Sequence, residues 1–329
     1  GLRQRAEKDK TRNGVKSMSF VEHNNREKAK KYAEYITGQE LRRYLAEKVK
    51  AYCGNNPSVF DGACGSGQLE QYIEPKLIYG VEIQPESCDA FKKNYPTCLV
   101  FNQSFFEFKN DVVADCVVMN PPFSMKFKDL SDVEQQAIKT DFAWKKSGVV
   151  DDIFILKSLD YTSRYAFHIC FCGVAYRNTE KKMRELIGNQ LAEINTIQNA
   201  FEDTQIDVLF LVIDKQKTDS SYQTSIYDCK AKETLVSETK QFDDEYRWQT
   251  ARVIVEEYQY TEADIDQMNI ELNKMNIEGL ELHIKNQLML WEMMGAKVGL
   301  PQFFNQVKKL IAKYEKEYYS KEQRELLCG

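Results

Sequence analysis

The chain has 329 residues, 43% of them hydrophobic and 29% charged, enough to bury a large core or two ordinary ones. No run approaches the ~18 apolar residues of a membrane span, and the charged opening "GLRQRAEKDK" lacks the apolar core of a signal peptide, so a cytoplasmic protein without membrane contact is expected. Net charge is −5, yet residues 1–50 carry fourteen Lys+Arg against seven Asp+Glu, a basic arm of +7 on a body of −12 that can still meet phosphates.

In chain order, residues 26–52 predict one or two helices, with Tyr35-Ile36-Thr37-Gly38 as a break before the amphipathic "QELRRYLAEKVKAY". Strands then alternate with helices. The strands are expected at Ser58–Asp61, Leu77–Ile83, Cys98–Phe101, Ala114–Met119 and Tyr165–Phe171, and the helices near 67–73, 85–94 and 151–163. Such alternation predicts an α/β fold with a mostly parallel sheet covered on both faces, whose ligands sit beyond the carboxyl ends of the strands. Glu193–Ile197 and Asp207–Ile213 are joined by "QNAFEDTQI", too short for a crossover helix, so that pair should be antiparallel. Past Asp214 a polar stretch leads into short strands over 222–260 and charged helices from about 261 to 326. Three regions result: a basic helical segment 1–52, an α/β domain 53–215, and a small α+β appendage 216–329 with its own character.

Nine cysteines without a CxxC pair read as reduced core residues, and His23, His168 and His283 have no ligand spacing, so no metal is expected. In "SVFDGACGSGQLEQYI" a short strand runs through Gly62, Gly65 and Gly67, which permit positive φ and close backbone approach by a ligand. Neither the Walker lysine nor the G-x-G-x-x-G order is present. The next strand ends on Glu82, where a carboxylate can accept both hydroxyls of a ribose, and the combination points to a nucleoside-bearing ligand. Further on, "VVMNPPF" is a strand stopped by prolines that cannot continue a ladder. Asn120 there offers a carbonyl acceptor, Pro121 and Pro122 stiffly held backbone carbonyls, and Phe123 a flat apolar face, parts that could hold a planar amino-bearing ring.

Asp61-Gly62-Ala63-Cys64-Gly65-Ser66-Gly67 resembles the D-P-A-C-G-S-G loop of adenine-N6 DNA methyltransferases, with Gly62 in place of proline, and Asn120-Pro121-Pro122-Phe123 is similar to their catalytic N-P-P-F. Cofactor loop first and catalytic motif second resembles the γ group, which includes modification subunits of type I restriction systems. "DDIFILKSL" and "AFEDTQIDVLFLVIDK" resemble that family's helix before the fifth strand and its closing hairpin, so the likeness covers roughly residues 32–215. Two positions depart: "NQSFFEF" places Ser104 where the family often has an acid beside the cofactor adenine, and Gly38 follows Thr37 where proline is usual.

The resemblance implies a Rossmann-like methyltransferase with a seven-stranded, mostly parallel sheet containing one antiparallel strand. It implies S-adenosylmethionine as cofactor, held by Thr37, Asp61, Gly62, Ala63, Cys64, Gly65, Gly67, Glu82, Ile83, Ser104, Phe105 and Asn120. It implies methyl transfer to the amino nitrogen of an adenine flipped out of double-stranded DNA, with Asn120, Pro121, Pro122 and Phe123 as the catalytic group and a specificity or restriction subunit as partner. Within that reading residues 53–215 are the catalytic domain, residues 216–329 serve target recognition or partner contact, and the basic N-terminal segment with Lys126, Lys128, Lys145 and Lys146 stands where phosphate contacts are expected. An RNA or protein N-methyltransferase, or a cofactor-binding subunit without independent activity, stays open beside this reading.

Overall fold

The first helix among the described residues, α1 (Gln39–Cys53), buries Leu41, Tyr44, Leu45 and Val49 along one stripe, and Gly54 ends it at φ 75°, its N–H returned to the Lys50 carbonyl. The computed structural model describes Phe20 and residues 37–201, 206–245, 247–253, 261–295 and 300–318. The helix expected before Thr37, most of the basic arm and residues 202–205 of the hairpin loop lie outside these. Contacts divide the chain into two units, residues 1–253 and 254–329.

The first unit is built on one nine-stranded sheet, ordered β3-β2-β1-β4-β5-β7-β6-β8-β9. Its strands are β1 (Ser58–Asp61), β2 (Leu77–Glu82), β3 (Leu99–Asn102), β4 (Ala114–Met119), β5 (Thr162–Phe171), β6 (Leu191–Gln198), β7 (Val208–Asp214), β8 (Ser221–Asp228) and β9 (Glu233–Gln241). β1 to β5 run parallel, and β7 lies antiparallel between β5 and β6, as the short connection requires. Helices α2 (Pro85–Asn94), α3 (Asp132–Asp141), α4 (Asp151–Ser158) and α5 (Lys181–Ile187) accompany the strands. The stretch expected to be helical near 67–73 is only a 3-10 turn, Leu69–Tyr72. The helix expected over 151–163 stops at Ser158, and β5 begins at Thr162.

The strand count differs from the expected seven. β8 pairs in parallel with β6 and β9 antiparallel with β8, so the sheet continues past the expected boundary at residue 215. Tyr222, Thr224 and Ile226 are buried on one face of β8, and on the other Ser225 is buried and the Tyr227 ring lies 4.4 Å from that of Tyr44 on α1, so the strand is held from both faces. The chain after β9 returns to the same unit, where Trp248 N–H donates to the Ala175 carbonyl.

One face of the sheet packs Phe60, Phe105, Phe108, Phe154 and Tyr161, with the Phe60 and Tyr161 rings stacked at 4.3 Å. The other packs Val59, Val118, Phe167 and Phe210 beneath α1. Burial on both faces explains why the parallel strands read as near-continuous apolar runs. The second unit holds α6 (Glu262–Met293), opened by a Thr261–Asp264 capping box, and α7 (Leu300–Tyr318).

Candidate active site

Parallel pairing brings the carboxyl ends of β3, β2, β1 and β4 to one edge, and strand order reverses between β1 and β4, the place where such sheets open a ligand crevice. The predicted residues gather here. Asp61 ends β1, 1% exposed, and accepts the Ala63 N–H at 2.8 Å. Gly65 has φ 52° and Gly67 φ 83°. Nothing lies within 4 Å of where a Cβ on Gly65 would stand, whereas one on Gly67 would stand 2.4 Å from the Tyr95 ring.

Gly62 has its own reason for being glycine: a Cβ there would meet the Phe105 ring at 2.6 Å and Met119 Cε at 2.9 Å. Phe105 is therefore buried beneath the turn, stacked 5.7 Å from Phe154. The Cys64 side chain also faces inward, clustered with Ile78 and Phe91, and burial pushes its thiol well above the ordinary range. Only its backbone is available to a ligand at the turn.

Glu82 is 8% exposed and is fixed from two sides, Gly65 N–H donating to Oε2 at 2.9 Å and Gln84 N–H to Oε1 at 2.7 Å. The neighbouring Ile83 is 61% exposed, an apolar face beside that carboxylate. Ser104, after β3, donates its hydroxyl to Glu134 Oε1 at 2.6 Å, so α3 supplies a carboxylate beside the position that carries serine. Glu134 also closes the Ser131 capping box.

At the end of β4 the Asn120 side chain donates from Nδ2 to Thr37 Oγ1 at 2.9 Å, and its Oδ1 is buried without a hydrogen-bond partner among the described residues. Thr37 is itself fixed, its carbonyl accepting from Arg42 Nε at 2.7 Å. Gly38 is explained by the same contact region. Its N–H donates to the Ala200 carbonyl, and a Cβ would stand 2.7 Å from that oxygen, so neither proline nor a side chain fits. Pro121 is buried and Pro122 half-buried. Phe123 is buried, its ring 6.4 Å from that of Phe201.

The lysines divide. Lys126, Lys128 and Lys146 are exposed, but Lys145 is 2% exposed and grips Asp152 at 2.6 and 2.7 Å, so the expectation that it meets phosphate is corrected: its charge is taken up inside. Burial outweighs the pull of Lys145 and leaves the Asp152 carboxyl at about 6. Sequence reasoning missed Glu70 and Glu134, which sit in a turn and a helix with no motif to mark them, and it gave no role to Asp151, which opens "DDIFILKSL", or to His168, which has no ligand spacing. Among the described residues no group of three or more His, Cys, Asp or Glu could hold a metal ion, and no helix is long and apolar enough to cross a membrane.

S-adenosylmethionine is tested by these features. An open glycine cradle, a fixed carboxylate with an apolar neighbour, and a buried acceptor without a donor are what its methionine end, ribose, adenine and a methyl-accepting amine would each require, and the residues fit. A mostly parallel sheet with these groups along its strand ends has a Rossmann-like methyltransferase fold, and the family whose model the chain matches uses S-adenosylmethionine. The family model for N-6 DNA Methylase matches residues 19–288, and the chain belongs to that family.

The fold is similar to that of the type I restriction-modification system methyltransferase subunit from Streptococcus thermophilus, at 18% identity and a TM-score of 0.50 over 59% of this chain and 47% of that one. A chain from a structure of type I R-M system assembly and conformational transition aligns at 14% identity and a TM-score of 0.54, over 80% of this chain and 67% of that one. Among curated proteins, an "Uncharacterized RNA methyltransferase" of Bacillus cereus is 29% identical over 102 residues, 27% of this chain and 22% of its own length. The chain thus matches under a quarter of the curated relative and about half of the Streptococcus subunit.

Proposed function

We propose that this chain transfers a methyl group from S-adenosylmethionine to the exocyclic amino nitrogen of adenine in DNA, as a modification component of a restriction-modification system or as a solitary modification enzyme. The observation that carries this reading is Asn120: a proline-stopped strand end presents a buried carbonyl oxygen with no donor among the described residues, its amide orientation set by Thr37.

The amino nitrogen of adenine is a poor nucleophile because its lone pair is delocalised into the ring. Asn120 Oδ1 and the Pro121 carbonyl accept the two amino hydrogens, favour a pyramidal nitrogen and disperse its developing positive charge. The cofactor, when bound, supplies an electrophilic methyl on a sulfonium. Glu82 would orient it by accepting from the ribose hydroxyls, Gly65 and Gly67 would admit it to backbone contact, Ile83 and Ser104 would flank its adenine, and Thr37 fixes the Asn120 amide. Alignment of nitrogen with the methyl group accounts for much of the acceleration, since good positioning is worth ~7–11 kcal/mol of barrier. The target adenine leaves the duplex to reach this mouth, with Phe123 as its apolar wall. Double-stranded DNA is the proposed partner, joined by a specificity or restriction subunit; the type I context of the similar structures supports this.

RNA is the second reading, favoured by the name of the Bacillus cereus relative, since the same acceptor geometry suits any planar amino group. Methylation-sensitive sequencing of DNA from cells expressing the wild type or Asn120→Ala decides between them. Methylated adenines in a fixed sequence context that vanish in the variant are expected. Unmodified DNA beside modified RNA would overturn the DNA assignment.

A further inference from the structure

Two carboxyl groups lie at the root of the glycine turn, shut away from water. Asp61 ends β1 at 1% exposure, and Glu70, on the 3-10 turn Leu69–Tyr72, is 0% exposed. Asp61 accepts one backbone N–H, but neither Oε1 nor Oε2 of Glu70 meets a hydrogen-bond donor among the described residues. A buried carboxylate with no donor and no cation on it is strongly disfavoured, and a second acid beside it disfavours it further, so one proton resides on the pair. Burial raises both groups, Glu70 to about 7, and the charge of Glu70 raises Asp61 further.

The titratable groups around them add little positive charge. Glu82 on β2, Cys64 in the turn, Cys116 on β4, Cys98, and Tyr95 after α2 are neutral or anionic. On α1, Arg42 directs Nε to the Thr37 carbonyl and Nη1 to Gln71 Oε1, and Arg43 lies over the Tyr72 ring. The chain between the two acids is the turn itself, and at Gly65 it leaves open space where a side chain would stand. A cation arriving there would be the positive charge the pair lacks.

We propose that the Asp61–Glu70 pair gives up its shared proton when a sulfonium cofactor binds at the turn, and that this linkage makes the site prefer the cationic cofactor over its neutral thioether product. The inference rests on the cofactor reading above. S-adenosylmethionine carries one more positive charge than S-adenosylhomocysteine, and a nearby positive charge favours the ionised form of a carboxyl group. The proton leaves to solvent on loading. An equal proton returns from solvent once the methyl group has left, and the product is then held less tightly.

Calorimetry tests this with the full chain, titrating S-adenosylmethionine and S-adenosylhomocysteine near pH 7 in buffers of different ionisation enthalpy, which reads protons released per binding event. The wild type should release a measurable fraction of a proton with the cofactor and less with the product. Glu70→Gln, which has no carboxyl proton to give up, should lose that release, and its preference for cofactor over product should fall about tenfold, the equivalent of one pKa unit of charge interaction. Wild-type cofactor binding without proton release, or a Glu70→Gln variant that keeps it, would overturn the proposal while leaving the cofactor reading standing. A wild type that binds neither molecule would overturn both. Should Glu70→Gln fail to fold, the wild type alone decides: its cofactor-to-product affinity ratio must rise with pH between about 6 and 8, and a flat ratio refutes the linkage.

Discussion

The backbone N–H of Ser124 donates to Asp151 Oδ1 at 2.8 Å, which ties the residue after Phe123 to the first turn of α4. Asp151 is buried, and its Oδ2 accepts from Arg177 Nη2 at 2.9 Å. Ser124 needs such a tie, because its φ of 56° is a conformation that a residue with a side chain seldom adopts. Asp151→Asn replaces one acceptor of this bridge by a donor, and the Asn-Pro-Pro-Phe segment should drift. Turnover is expected to fall by up to ~100-fold, the scale of a sub-ångström to 1 Å misplacement, with cofactor affinity little changed. Ser124→Gly keeps the N–H and removes the strain, so its turnover should match the wild type. Steady-state kinetics of the two variants separate positioning from general damage.

Asn120→Ala should fold and bind cofactor but transfer methyl groups at least ~100-fold more slowly, the cost of losing one transition-state partner. Thr37→Val leaves Asn120 Nδ2 without its acceptor and frees the amide to turn, so it should lower kcat in the same direction by a smaller factor. Single-turnover rates with saturating cofactor check both.

Glu82→Ala should weaken S-adenosylmethionine binding more than about tenfold, because the acceptor to the ribose is removed and the Gly65 and Gln84 N–H groups are left without their partner. Calorimetric dissociation constants for cofactor and product check it, and both should weaken together.

His168 gives a pH dependence of known sign. It is 0% exposed on β5, its ring bonded to Ser158 Oγ at 2.8 Å, and burial holds it down at about 3 against an ordinary 6.5. The folded state binds fewer protons there than the unfolded state. Its contribution is therefore fully present above the unfolded value and is lost as pH falls from about 6.5 toward 3, by about 2 kcal/mol at pH 5. His168→Gln should flatten the fall in stability with acid over that window, as read by urea denaturation at several pH values.

Exposed and buried lysines should behave differently. Neutralising Lys126 and Lys128 should weaken binding to all duplexes alike and reduce the salt slope by about 0.9 for each phosphate that the side chains no longer neutralise. Lys145→Ala should instead destabilise the fold by roughly 3–5 kcal/mol, because Asp152 is left buried without its cation. Duplex titrations at several salt concentrations and thermal melts distinguish the two outcomes.

Local chemistry was written in the sequence wherever neighbours in the chain set it. Glycines at 65 and 67 provide a turn with positive φ, prolines at 121 and 122 end β4, and the spacing of apolar segments gives the parallel order of β1 to β5 and the antiparallel β7. What folding alone decided are the pairings between distant residues. Thr37 reaches Asn120 across 83 positions, Glu134 comes to Ser104 across 30, and neither spacing has a period from which it could be read. Burial was equally hidden. Lys145 and Lys146 are adjacent and chemically alike, yet one lies inside on Asp152 and the other in solvent, because the packing around α4 and not the residue type fixes which lysine is enclosed. Glu70 shows the same limit: in the sequence it is one acid after a glycine turn, and only the closure of α1 and β4 over that turn removes its water and leaves it to share a proton with Asp61.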